Sequence, residues 1–391
     1  MRLYRMELYK LWHKKGFVIC GICMILITGF YFATTVGSES AAVDGVRYYG
    51  YEAVKVNRQI TEEYRGALTD EKVSAMVERY GLPSEVVYDY PGWQDGNYLN
   101  NFVTTYLTDG YKRDWNAYKA PTQVYAIADT ELGKVQRVSG TEIQFAYTNG
   151  WTAFLDTLQM GMILASILLL MSISTLFAQE GQAKMLPLLF TTQEGKEKDV
   201  YAKIAAAFTL TIIVYSMIVL LCFLLSACVY GMDGGGCAIC IVLSQPLRAD
   251  LKTGYMSAST FTGITLGMNF LALLLLCAIT MCASAHCKST FGAVTTAGIL
   301  WALPLLIRMF FGGIGYFFTS CMPLFLIMTG SLYEAVEWRR EAMMIPVIAV
   351  VLLLCVEEGY RVYRRMFVGK RTAKMQRRPQ SVMSEFTIFP L

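Results

Sequence analysis

Apolar residues run along this chain in blocks, separated by polar stretches of very unequal length. A helix that crosses a bilayer needs about 20 mostly apolar residues at ~1.5 Å of rise each. Six segments read this way: 16–36, 154–178, 204–230, 260–285, 291–311 and 342–360. The second is uncharged from Met160 to Ala178, the third is long enough to tilt, and the apolar part of the sixth is short. The fourth and fifth are joined only by the turn His286-Cys287-Lys288-Ser289-Thr290. The first has a longer apolar core than a cleaved leader, and FATTVGS offers no small-residue cleavage site, so it reads as a retained helix.

Segment 312–341 is the ambiguous one. Gly312–Leu332 is apolar but broken by Gly312, Gly313, Gly315 and Pro323. Charge settles how it is read, because Lys and Arg collect on the cytoplasmic side of a membrane protein. Five cations lie in the first 15 residues, and eight lie between Arg361 and Arg378. Four more, Lys184, Lys196, Lys198 and Lys203, lie in 179–203. Both chain ends and this loop are therefore expected in the cytoplasm, which requires an even number of crossings. The predicted fold is an all-α polytopic membrane protein with six transmembrane helices. Segment 312–341 becomes an outer or re-entrant element, and 231–259 an outer loop.

The remaining polar stretches have characters of their own. In residues 1–15, Tyr4, Leu8, Leu11 and Trp12 fall on one side of a helical wheel, and Arg2, Lys10, His13 and Lys14 largely on the other. That pattern predicts an amphipathic interfacial helix with membrane lipid as a partner. Segment 37–153 carries 13 of the 24 Tyr, with Trp93 and Trp115, and reads as a folded, mainly helical extracellular domain. Helices are expected at Val43–Tyr64 and Asp70–Tyr80, the second capped by Thr69 and stopped by Gly81 and Pro83. Residues 361–391 form a basic cytoplasmic tail.

Composition narrows the class. Of the 391 residues, 55% are hydrophobic and 16% charged, with mean hydropathy +0.41. A soluble domain carries about 25% charge, so an ordinary soluble enzyme is excluded. The net charge of +4 is spread beside apolar runs rather than gathered on a basic face, so no nucleic acid is expected as a partner. Among 11 Cys none falls in 37–153, which rules out a disulfide-stapled outer domain. Cys237-x-x-Cys240 lacks the second pair that a metal or redox role needs.

The missing motifs matter too. There is no G-x-x-x-x-G-K-[ST] loop to cradle nucleotide phosphates, no H-E-x-x-H, and no G-x-S-x-G. Only His13 and His286 exist. No catalytic residue, metal ligand or cofactor is assigned. Arg308, in the fifth apolar run, is a candidate pathway or interface residue, as an ionisable group at membrane depth is by default. Its place near the outer end favours snorkelling to the interface. Glu357 and Glu358, beside Arg361 and Arg364, read as an interfacial charge cluster.

The most specific stretch is the loop FAQEGQAKMLPLLFTTQEGKEKDVYAKIAAAF. Met185, Leu186, Leu188, Leu189 and Phe190 make an apolar patch, Thr191-Thr192-Gln193-Glu194-Gly195-Lys196 a polar turn, and Lys203 the point of return to the membrane. Pro187 argues against one unbroken helix. An apolar patch flanked by charge suits the docking of a partner, or the anchoring of two spans at the interface.

In this loop the chain resembles the ABC-2 family of ABC transporter permeases. There an acidic residue closing the second span leads to a Leu-rich stretch, a small or hydroxyl turn with a basic residue, and a Lys opening the third span. Glu180, Leu188-Leu189, Thr191-Thr192, Gly195-Lys196 and Lys203 follow that order. Lys184 stands where Gly is common, Gln193 where Pro often ends the turn, and Lys196 where Arg is usual. The order of segments also resembles a subgroup, common in Gram-positive anaerobes, with a large outer domain after the first span.

The resemblance implies a non-catalytic permease subunit, an exporter, paired with a separate ABC ATP-binding subunit and a second permease chain, identical or related. It implies ATPase coupling through Glu180, Lys184, Leu188, Leu189, Phe190, Thr191, Thr192, Gly195, Lys196 and Lys203. Two other classes stay open. A secondary transporter would want intramembrane carboxylates, and only Asp156 comes near. A membrane receptor or immunity protein would use the Tyr-rich outer domain to capture a ligand without transport. The sequence does not select a substrate.

Overall fold

The computed structural model describes residues 2–82, 96–109, 122–182, 198–244, 254–311 and 316–376. Six helices are long and apolar enough to cross a membrane: Lys15–Gly37, Asn149–Glu180, Lys198–Val229, Ala258–His286, Thr290–Phe311 and Ala342–Tyr363. Short elements at their ends complete a multi-pass helical protein.

In chain order, α1 is Arg2–Trp12 and α2, the first span, is Lys15–Gly37. A domain follows, with β1 (Ser40–Val43), β2 (Val46–Tyr49), α3 (Gly50–Glu62), β3 (Gly66–Ala67), α4 (Asp70–Tyr80), α5 (Tyr98–Leu107), α6 (Glu131–Ser139) and β4 (Gln144–Phe145). The second span is α7 (Asn149–Ile173) continued by α8 (Thr175–Gln182). Next come α9 (Lys198–Val229), the short α10 (Ile239–Val242), α11 (Ala258–His286) and α12 (Thr290–Phe311). Three short helices, α13 (Tyr316–Ser320), α14 (Pro323–Ile327) and α15 (Thr329–Glu337), precede α16 (Glu341–Gln376). None of the three is long enough to span a bilayer, so the described part of 312–341 adds no seventh crossing.

The bundle is built around α7 and α11. Most of their apolar length is buried, whereas α2, α9, α12 and α16 turn most of theirs outward. Val18, Ile22, Leu26 and Phe30 on α2, and Leu305, Met309 and Phe310 on α12, are exposed. Apolar faces of that extent suit hydrocarbon rather than water. Contacts sort the two ends of the bundle. The Tyr4 hydroxyl of α1 donates to Thr209 of α9, and Tyr363 of α16 donates to Glu180 of α8, so α1 and α16 meet at one end, the terminal end. The described part of the 38–148 segment sits at the other, the domain end, where Arg58 reaches Asp233.

The domain departs from the sequence reading in one place. A helix was expected from Val43, but Asp44-Gly45 turns β1 into β2 and the helix begins only at Gly50. Both turn residues have positive φ, +52° and +75°, as a two-residue hairpin loop of the mirror type requires. Asp-Gly between extended residues was the signal, and the helical pattern of α3 hid it. The second predicted helix lies at Asp70–Tyr80, with the Thr69 side chain accepting from the Lys72 amide and Gly81 at its end with φ +67°. The described part of the domain is thus mainly helical with two small antiparallel ladders, β1–β2 and β3–β4.

The domain is tied to the bundle through the 231–236 turn. Trp151 Nε1 donates to the Asp233 carbonyl at 2.8 Å, and the Asp233 carboxylate takes Arg58 at 3.0 Å and Arg65 at 3.5 Å. Gly150, in the first turn of α7, lies so close to the Gly231 carbonyl that a Cβ there would fall 1.9 Å from the oxygen. Only glycine admits that approach.

Candidate functional site

The second span breaks at Ser174, and the break is filled by one side chain. Ser284 of α11 donates its hydroxyl to the Ser174 carbonyl at 2.7 Å and accepts the amides of Phe177 and Ala178, each at 3.1 Å. A helix kinks where a side chain inserts into its hydrogen-bond ladder, and here Ser284 satisfies the groups that the kink releases. Beyond the break, Glu180 of α8 reaches α9. Gln182, at the end of α8, accepts from the Thr290 side chain at 3.1 Å and so joins the start of α12.

Glu180 meets Lys203. The ammonium is fully buried and lies 2.7 Å from the Glu180 carboxylate, and Asp199, one helical turn earlier on α9, supplies a second carboxylate. Tyr363 of α16 donates to Glu180 at 3.1 Å, and its ring lies 5.8 Å from the ammonium. Phe177 packs on that ring with centroids 4.9 Å apart. Tyr363 and Asp199 are themselves buried. Three spans, α7–α8, α9 and α16, are thereby locked by one cation. Lys203 was expected at the membrane surface, marking the start of the third span. Instead α9 begins at Lys198, and Lys203 lies inside the helix, neutralised by its two partners. A long cation next to apolar residues carries no sequence signal of such partners; the Asp199–Lys203 spacing of four was the one available hint.

Helix α1 closes over this cluster. Its Tyr4, Leu8 and Leu11 face packs inward, with Leu11 buried, while Met6, Tyr9 and Trp12 are exposed. The amphipathic helix therefore exists, but the face assigned to lipid is divided between α9 and the outside. Glu7 is also buried and pairs with Lys10. Lys14 donates to Thr175, beside the kink, and burial lowers its ammonium from the usual range. Between α1 and α8 lies a cavity of about 510 Å³ lined by Glu7, Lys10, Leu11, Lys14, Gln179 and Glu180.

Of the residues singled out from the sequence, the structure thus brings together Glu180 and Lys203, at the two ends of one loop. Lys184, Leu188, Leu189, Phe190, Thr191, Thr192, Gly195 and Lys196 lie outside the described residues. Asp199, Tyr363, Ser284 and Glu7 were missed: Tyr363 and Ser284 draw their roles from partners more than 100 residues away, and the local pairs Asp199–Lys203 and Glu7–Lys10 do not show by themselves that their carboxylates are buried.

Arg308 lies near the far end of α12 and is held rather than free. Its guanidinium pairs with Glu334 of α15 at 2.9 Å and donates to Ser331 at 3.3 Å. It is flanked by the Tyr316 ring at 3.7 Å and the Phe325 ring at 4.5 Å. Tyr316 donates to the other Glu334 oxygen at 3.2 Å. All four of these partners lie on the three short helices. Cys237 and Cys240 are free and buried, with thiols pushed up to about 11 and about 12 by burial. Among the described residues no group of three or more His, Cys, Asp or Glu is placed to hold a metal ion.

No protein-family model, no curated protein and no solved structure matches this chain.

Proposed function

We propose that the chain is the membrane-spanning permease subunit of an ABC-type exporter, moved by a separate ATP-binding subunit through the loop between Glu180 and Lys203. The observation that carries this reading is the buried Glu180–Lys203–Asp199–Tyr363 cluster. A loop whose two ends are clamped to each other and to a third span transmits a push as a movement of all three. The chain itself brings no phosphate-binding loop, so the energy enters from a partner. In this reading both chain ends and the cluster face the cytoplasm, α1 lies against the inner leaflet, and the 37–153 domain faces outward. A second permease chain, identical or related, completes the pathway through lipid-like apolar faces such as that of α12.

The test is purification of the tagged full chain from the cells that make it, in mild detergent, with the eluate assayed for ATP hydrolysis and its components sequenced. An ATP-binding chain is expected to accompany the wild type. Charge reversal at Lys196, which the cluster does not use, is expected to lower its amount about tenfold, as reversal of an interfacial charge does. A wild-type eluate with no ATP-binding chain overturns the reading.

A further inference from the structure

A second cavity, of about 380 Å³, opens at the domain end, where the domain meets the bundle. It is lined by Glu39, two residues beyond α2; by Tyr98, Asn101, Phe102 and Tyr106 of α5; and by Asn149, the first residue of α7. Its size is that of a small-ligand site. Among the described residues no Lys, Arg or His lines it.

The one carboxylate among the described lining residues has no cation beside it. Among the described residues Glu39 forms no ion pair; its carboxylate receives long contacts, 3.4 Å, from the Asn149 amide and a further contact from the Tyr230 hydroxyl. Asn101 Oδ1 is closed off from the cavity, against Gly96. The amide of Asn57, also on the wall, is already used: it donates to the Ser40 carbonyl and accepts from the Tyr98 amide. Behind Glu39, the phenol hydroxyls of Tyr147 and Tyr230 are buried without a hydrogen bond of normal geometry. Burial raises the Glu39 carboxyl above the usual carboxylate range. A cation arriving beside it stabilises the charged form.

The geometry points to a binding site for an organic cation, a primary ammonium group that donates to Glu39 while its alkyl stem lies among Tyr98, Phe102 and Tyr106. An ammonium carries three donors and no acceptor, which complements a carboxylate with no cation beside it. Aromatic faces add attraction for a desolvated cation. An anion finds no counter-charge there, and a neutral apolar ligand strands the carboxylate. Because Glu39 follows α2 and Asn149 opens α7, an occupant touches the ends of two spans. The assignment does not depend on the coupling reading, since it concerns the opposite end of the bundle.

The same chemistry comes from a free amine or from a lysine side chain of a peptide, and two probes separate them. The purified full chain is titrated calorimetrically with putrescine, with trilysine, and with 1,4-butanediol as the neutral control. Saturable binding of either amine, with none of the diol, is expected. Putrescine alone marks a free amine, and trilysine alone marks a peptide side chain. Glu39→Gln is expected to weaken binding about tenfold or more, the loss typical of a charge-assisted hydrogen bond. Asn101→Asp, which keeps Glu39 and adds a second carboxylate, is expected to tighten binding severalfold. Binding of neither amine, equal binding of the diol, or amine affinity unmoved by both substitutions overturns the assignment.

Discussion

Lys203 and Arg308 are both cations within apolar helices, and the protein settles them in opposite ways. Lys203 is fully buried and faces two carboxylates from two helices, with a phenol bonded to one of them. Arg308 keeps 18% of its side chain exposed, and has one carboxylate, half in solvent, with two aromatic faces. The first arrangement fixes three long spans against one another. The second fixes three short helices to the end of one span. An over-determined ion cluster makes a joint through which force passes, and an aromatic cage makes a clasp that holds a cap in place.

Breaking this contrast from its strong side gives the largest effect. Lys203→Met leaves Glu180 and Asp199 buried together without a cation. It is expected to cost about 3–5 kcal/mol, read as a lowered melting temperature of the detergent-solubilised chain. Adding Glu180→Gln and Asp199→Asn to that variant is expected to recover much of the loss, because no uncompensated charge then remains.

At the domain end, Gly150→Ala forces α7 away from the Gly231 carbonyl. A cost of about 1–3 kcal/mol is expected, with faster proteolysis of the domain, since the Trp151–Asp233 contact lies beside it. Ser284→Ala removes the group that satisfies the kink, and the stranded carbonyl and amides are expected to cost about 1–3 kcal/mol in the same melt. Arg308→Lys keeps the charge but loses the planar stack. A loss of about 1 kcal/mol is expected there, with the 316–337 region exchanging its amides faster while the rest of the bundle is unchanged. Asp233→Asn breaks pairs whose Arg partners are half exposed, and is expected to cost well under about 1 kcal/mol.

The same contrast explains what the sequence shows and what it conceals. Six spans are legible because an uncharged run of about 20 residues has few other uses. Their ends are less legible. Helix α7 starts at Asn149 rather than 154, since Gly150 and Trp151 dock on the 231–236 turn. Helix α9 starts at Lys198 rather than 204, since Lys203 is neutralised by distant partners. Helix α16 runs on to Gln376 well past 360, carrying Tyr363 into the cluster. In the domain, the 3.6-residue pattern of α3 drew the reading back over Asp44-Gly45, where a local turn preference wins. At the site, Glu180 and Lys203 were legible through their places at the two ends of one loop. Tyr363 and Ser284 were not, because a hydroxyl on an apolar helix means nothing until the facing helix is known.

The loop between Glu180 and Lys203 is also where one measurement decides most. A photo-crosslinking residue in place of Phe190, activated in membranes of the cells that make the protein, reports what the loop touches. An adduct with an ATP-binding protein, lost when that protein's gene is removed, is the expected result. Adducts with lipid alone, or with proteins that bind no nucleotide, would contradict the proposal that an ATPase drives these helices.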